Sequence, residues 1–218
     1  MSYNYTMLFV LSAPSGTGKT TVADRLLKSC PKVKRIITTT TRPRREGEVH
    51  GVDYIFIDRE EFERKIEEGY FLEYANVYGH YYGTPKDQVL KNEEEGIDSL
   101  LVIDVQGAKK IKDAYPESVL IFLMPPSIEE LRRRLLGRGY GRENLEQRLQ
   151  KAEEEIACAR HFDYIVVNEF IDKTVEALHM IIVAHRYRRE NFLKKPNVND
   201  EVISRILSEV SCKSFESL

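Results

Sequence analysis

Residues 7–11, Met-Leu-Phe-Val-Leu, form a short unbroken apolar run, and the tract 12–18 that follows is turn chemistry built from Ser, Ala, Pro, Gly and Thr. A short apolar run closed by such a tract reads as a buried strand. From Lys19 the period changes: Val22, Ala23, Leu26 and Leu27 share one helical face, and Pro31 follows its end. The order strand, tight loop, helix recurs. Residues 100–103 predict a strand ending at Asp104 with a helix starting near Gly107, and residues 119–123 predict another, closed by Pro125 and Pro126. Ser127 is placed to cap the next helix, with Glu130 at the capping-box position. Residues 164–167 predict a further strand, followed by a helix over 172–189. These runs are rich in β-branched residues and do not alternate, as expected of a parallel sheet covered on both faces.

The tract 38–88 breaks the pattern. It is dense in aromatics, alternates like a strand over 53–57, and holds one short helix over 59–68. It reads as a small mixed insertion mounted on the α/β core. Residues 137–144 are rich in glycine and arginine between two helical tracts, which suggests a lid loop. Beyond Phe192 a Lys-Lys-Pro-Asn break precedes an amphipathic segment, 202–210, that reads as a terminal helix.

The first loop carries the chemistry. Ala13, Pro14, Ser15, Gly16, Thr17, Gly18, Lys19 and Thr20 lie between buried strand and helix. Glycines let the backbone wrap so that N–H groups converge on an anion, and the helix N-terminus adds favourable potential. Lys19 is placed to reach the β- and γ-phosphates, and Thr20 to offer a hydroxyl to Mg²⁺. Ala13 stands where the general motif has glycine; the strand–loop–helix context supplies what that mismatch removes. The expected fold class is therefore α/β, a P-loop NTPase-type parallel β-sheet core flanked by helices, with a small mixed α/β acceptor-binding insertion and a helical lid.

Composition narrows the partners. The chain has 218 residues, 42% hydrophobic and 31% charged, with a formal net charge of -2. This is a folded-domain balance, and no basic field calls for nucleic acid. No apolar run approaches the roughly 20 residues that span a bilayer, and residues 1–6 lack a signal-peptide pattern. Cys30, Cys158 and Cys212 show neither metal-ligand spacing nor an even count for pairing, which suggests a reducing, cytoplasmic setting.

Several further motifs occur in order: Thr40-Thr41-Arg42 with Arg45 and Gly47-Glu48; Phe71-Leu72-Glu73-Tyr74-Ala75; Tyr81-Tyr82-Gly83-Thr84; Ile103-Asp104-Val105-Gln106-Gly107; and the lid stretch 134–139. In these, and in the phosphate loop, the chain resembles the bacterial guanylate kinases over nearly all of 7–189. The resemblance implies an enzyme that moves the γ-phosphoryl of ATP onto GMP (and dGMP), with Mg²⁺ accompanying ATP as co-substrate, acting as monomer or homodimer with neither nucleic acid nor membrane. It implies a core of 7–37, 89–124 and 163–191, a GMP-binding insertion of 38–88, a lid of 125–162 and a tail of 192–218.

The resemblance also implies roles for residues. Arg42 and Arg45, helped by Tyr54 and Tyr82, hold the acceptor phosphate; two guanidiniums bind a dianion through paired charge-assisted bonds. Glu73 reads guanine, since one carboxylate accepts both N1–H and the 2-amino group, a donor pair adenine lacks. Thr38, Gly83 and Thr84 fall beside the base. Arg134, Arg138 and Arg148 approach the transferring phosphoryl, Thr21 and Asn168 fall near the donor nucleotide, and Asp104 positions Mg²⁺ through water. Two departures stand out: Thr38 where the family usually has serine, and Val102 where it usually has an aspartate placed near the acceptor base and the metal waters. A relative with a different acceptor, or a protein-binding module on the same scaffold, is the competing reading. Lys19 and Thr20 argue against the module, and Glu73 and Tyr82 against a sugar-phosphate acceptor.

Overall fold

A computed structural model of the chain describes residues 6–137, 142–188 and 190–191, and of residues 142–144 the backbone alone. Its centre is a parallel sheet in the order β2 (Val33–Arg35), β7 (Asp98–Val102), β1 (Leu8–Ser12), β8 (Val119–Met124), β9 (Tyr164–Val167). β1 lies between β7 and β8, with Leu11 paired to Val102 on one side and Ile121 on the other. Every residue of β7 is buried, which is why these strands read as continuous apolar runs.

Helices cover both faces. On one, Phe9, Leu11, Val102 and Ile121 pack with Val22, Ala23 and Leu26 of α1 (Lys19–Ser29) and with Leu178 and Ile182 of α7 (Ile171–Arg186). On the other, Val10, Leu101, Ile103 and Leu120 pack with Val89 of α3 (Lys86–Glu95) and with Ala108 and Ile111 of α4 (Val105–Ala114). Each such fully buried large apolar side chain contributes about 1.5–3 kcal/mol.

The insertion forms a second sheet in the order β4 (Ile55–Phe56), β3 (Thr39–Thr40), β6 (His80–Pro85), β5 (Phe71–Val77), with α2 (Arg59–Glu67) packed on it through Phe62. Asp58 caps α2 by accepting from the Glu61 N–H at 2.7 Å. Gly83 is required by close packing rather than by a turn: a Cβ there would stand 2.7 Å from the Phe71 ring. Residue 88, the expected end of the insertion, falls inside α3, which runs unbroken from Lys86.

The lid comprises α5 (Ile128–Leu136) and α6 (Arg142–Ala157), joined by a small core of Leu131, Leu135, Leu145, Leu149 and Ala152. Ser127 caps α5 as expected, its hydroxyl accepting from the Glu130 N–H at 3.1 Å. The Glu130 carboxylate bonds Arg133 and Arg134 forward along the helix. Arg138, the lid tip at 138–141, and the tail 192–218 lie outside the described residues. No helix among the described residues is long and apolar enough to cross a membrane.

Candidate active site

Parallel packing brings the carboxyl ends of β1, β7 and β9 to one edge of the sheet, where α/β folds bind ligands. The phosphate loop leaves β1 there. Gly16 and Gly18 have φ of +93° and +95°, and each lies against a neighbour that a side chain would crowd. A Cβ on Gly16 would meet Leu135 at 3.0 Å, and one on Gly18 would meet Asn168 Nδ2 at 3.1 Å. The first turn of α1 exposes Thr20 and Thr21.

Asn168 sits beneath this loop. Its Nδ2 donates to the Thr17 carbonyl at 2.7 Å while its Oδ1 accepts from the Thr174 hydroxyl at 2.9 Å. The residue is 3% exposed, so it braces the loop from behind. The Lys19 ammonium donates to the Ile103 carbonyl at 2.7 Å. Burial lowers its pKa, opposed by the carboxylates of Asp104 and Glu155.

The two carboxylate oxygens of Asp104 stand in different surroundings. Its Oδ1 caps α4 by accepting from the Gly107 N–H at 2.9 Å. Its Oδ2 is buried with no hydrogen-bond partner among the described residues. A buried, unpartnered carboxylate oxygen beside the phosphate loop fits a water of a hydrated Mg²⁺, so the residues present suit the ion the chemistry implies. Val102 packs among Leu11, Ala13 and Val22, on the α1 side of the sheet; Glu73 lies against Gly107, next to the face that carries Ile103 and Ala108. The valine is thus an apolar wall under the phosphate loop, on a different face from the Glu73 carboxylate.

Glu73 lies on the buried face of β5, where Phe71, Glu73 and Ala75 point inward and Tyr74 and Asn76 outward. The β5–β6 register shifts between Phe71 and Glu73. Thr84, fully buried on β6, donates its hydroxyl to Glu73 Oε1 at 2.7 Å. Burial pushes the Glu73 pKa up to about 7, against the hydrogen bond from Thr84. Gly107 closes the other side: a Cβ there would stand 3.0 Å from Glu73 Oε2. Thr38 is buried on the same insertion, one residue before β3.

Arg42 follows β3 and is clamped. Its guanidinium bonds Glu48 Oε1 at 2.6 Å and the Pro43 carbonyl at 2.7 Å, and lies 5.4 Å from the centre of the Tyr54 ring. Tyr54 and Tyr82 meet edge to face with centroids 6.0 Å apart, and Tyr82 stands beside the same guanidinium. Burial raises the Tyr54 pKa, so its hydroxyl stays a donor at neutral pH. Glu48 Oε2 accepts from the Arg45 N–H at 2.8 Å, while the Arg45 side chain is exposed. Glu48 was visible in the sequence only as part of the Gly47-Glu48 motif; its clamping role comes from the fold.

The lid reaches the phosphate loop twice. Arg134 donates to the Thr17 carbonyl at 3.3 Å and Arg148 to the Ser15 hydroxyl at 3.4 Å. Glu155, two turns on from Arg148 on the same face, is buried near Lys19 and the Ser15 backbone, and burial raises its pKa. Sequence reasoning passed over Glu155; the helical spacing from Arg148 was its only local signal.

A glycine-rich loop between strand and helix at the head of a parallel sheet, an arginine-bearing helical pair over it and a separate small-sheet insertion are the arrangement of a phosphate-loop nucleotide kinase. The guanylate kinase family model matches residues 5–185. The chain is 48% identical to the guanylate kinase of Caldanaerobacter subterraneus over 84% of its length and 89% of that protein. It is 45% identical to that of Coxiella burnetii over 95% and 98%. The crystal structure of guanylate kinase from Anaplasma phagocytophilum superposes with a TM-score of 0.78 at 37% identity, covering 94% of this chain and 98% of that one. The chain belongs to the guanylate kinase family.

Proposed function

We propose that the chain transfers the γ-phosphoryl of ATP directly to GMP, giving GDP and ADP, with the acceptor held in the insertion and the donor on the phosphate loop. The observation that carries this reading is the buried Glu73 carboxylate, presented between Thr84 and Gly107 on the same small sheet that aligns Arg42, Tyr54 and Tyr82.

GMP binds through its phosphate to Arg42, Tyr54 and Tyr82, joined by Arg45, and through N1–H and the 2-amino group to Glu73. Thr38 and Thr84 supply hydroxyls beside the base. The donor triphosphate lies along the backbone N–H groups of residues 15–20, with Lys19 turning from the Ile103 carbonyl to its outer phosphates. Thr20 and Asp104, through water, would hold the Mg²⁺, which neutralises charge on the donor phosphates. An acceptor phosphate oxygen is already anionic near neutral pH, so no general base is needed. It attacks the γ-phosphorus in line, while Arg134 and Arg148, and by the family resemblance Arg138, stabilise the charge on the equatorial oxygens. Positioning and charge carry the catalysis, and lid closure excludes water from the donor. The free thiols of Cys30 and Cys158 fit a reducing cytoplasm.

ADP formation from MgATP, measured with and without GMP, tests the reading. GMP-dependent turnover far above ATP hydrolysis is expected; turnover indifferent to GMP would contradict it.

A further inference from the structure

Tyr78 occupies the two-residue turn, with Gly79, that joins β5 and β6 at Val77 and His80. Its φ is +52°, a conformation that asparagine, aspartate or glycine adopts far more readily than tyrosine. The side chain is not there to be buried, since the residue is 49% exposed. What its ring meets is the lid. The Arg148 guanidinium lies 4.9 Å from the ring centre and the Lys151 ammonium 4.1 Å. Arg148 and Lys151 are three apart on α6 and so share a face. Arg148 also bonds the Ser15 hydroxyl at 3.4 Å. One arginine therefore spans from the tip of the base-reading hairpin to the phosphate loop.

We propose that Tyr78 is a positioning residue whose ring holds Arg148 over the phosphate loop, so that the hairpin carrying Glu73 and Tyr82 is tied directly to the donor site. It rests on the reading that Arg148 acts on the transferring phosphoryl. A free arginine side chain samples many rotamers. A ring on one flank and a hydroxyl on the other restrict it before substrate arrives, and the restriction is lost if the hairpin swings away. Acceptor binding, which fixes the hairpin, thereby sets the geometry of an arginine that never touches the acceptor base.

The test compares Y78A and Y78F with the wild-type protein in steady-state assays with MgATP and GMP. Y78A is expected to lower kcat by about three- to tenfold, with both KM values within about twofold of wild type, because an aromatic–cation contact of this kind is worth that order. Y78F keeps the ring and is expected to keep kcat. An unchanged kcat in Y78A, a Y78F as impaired as Y78A, or a loss expressed only in the KM for GMP would each overturn the proposal. The chain contains no tryptophan, so Y78W introduces a single fluorophore at this contact. Its emission is expected to shift when K151A is added; emission indifferent to K151A would overturn the stacking on α6. Absence of GMP turnover by the wild-type protein would instead refute the kinase reading, and the Y78W emission would still report whether the contact exists.

Discussion

The Thr84 hydroxyl donates to Glu73 Oε1 at 2.7 Å on the buried face of the small sheet, and Gly107 leaves Oε2 just enough space on the opposite side. The carboxylate proposed to read the base is thus held in place by the protein alone. Replacing it tests that role: E73Q presents an amide donor toward guanine donors. The expected loss in kcat/KM for GMP is about 10- to 200-fold, the order of one charged hydrogen bond, with the KM for ATP unchanged. The GMP-to-AMP preference in coupled assays of both proteins provides the check.

Burial holds Glu73 protonated up to about 7, so GMP recognition and pH are linked. Only the ionised form accepts both guanine donors. The KM for GMP is expected to rise as pH falls below about 7 and to level off above it, with proton release on binding near neutrality. The stability effect has the opposite direction. A carboxyl whose folded pKa is raised favours the folded state below its unfolded pKa, and that contribution fades as pH rises from 4.5 through about 7. The full span is worth roughly 3 kcal/mol at most. Thermal melts of nucleotide-free wild type and E73Q across this window should converge or cross as the wild-type protein alone loses that contribution.

Gly107 separates folding from function. It lies in the first turn of α4, where alanine in place of glycine ordinarily strengthens a helix by up to about 1 kcal/mol. Here the added Cβ would crowd Glu73 Oε2 at 3.0 Å and Ile103 Cδ1 at 3.1 Å. G107A is expected to melt within a few degrees of wild type yet lose at least about tenfold in kcat/KM for GMP. Calorimetry beside kinetics distinguishes this from general destabilisation.

Asn168 braces the phosphate loop as Thr84 braces Glu73. N168A removes the bond to the Thr17 carbonyl and leaves the Thr174 hydroxyl without that partner. The expected result is a KM for ATP raised about tenfold, and a stability loss of about 1–3 kcal/mol. The KM for GMP should not move.

Much of this architecture was legible in the chain. The apolar runs of β1, β8 and β9 lie within a residue of their predicted places, because strands buried on both faces leave an unbroken signature. The phosphate loop was legible for the same local reason. β2 was not: it has three residues, and Lys34 at its centre is exposed. α3, between Pro85 and a Glu93-Glu94-Glu95 end, was not read as a helix either. Long-range contacts left no local trace. Nothing near Glu48 announces that it pins Arg42, nothing near Gly107 announces Glu73, and the packing of Val102 under the phosphate loop required the sheet order.

The most direct measurement is ATP-dependent diphosphate formation with Mg²⁺, offered GMP, dGMP, AMP, UMP and CMP separately. Glu73 stands intact and Val102 packs away from it, so rapid turnover of GMP, slower turnover of dGMP and little of the rest are expected. Comparable rates on several bases would contradict the account, because guanine selection would then not reside in the Glu73 carboxylate.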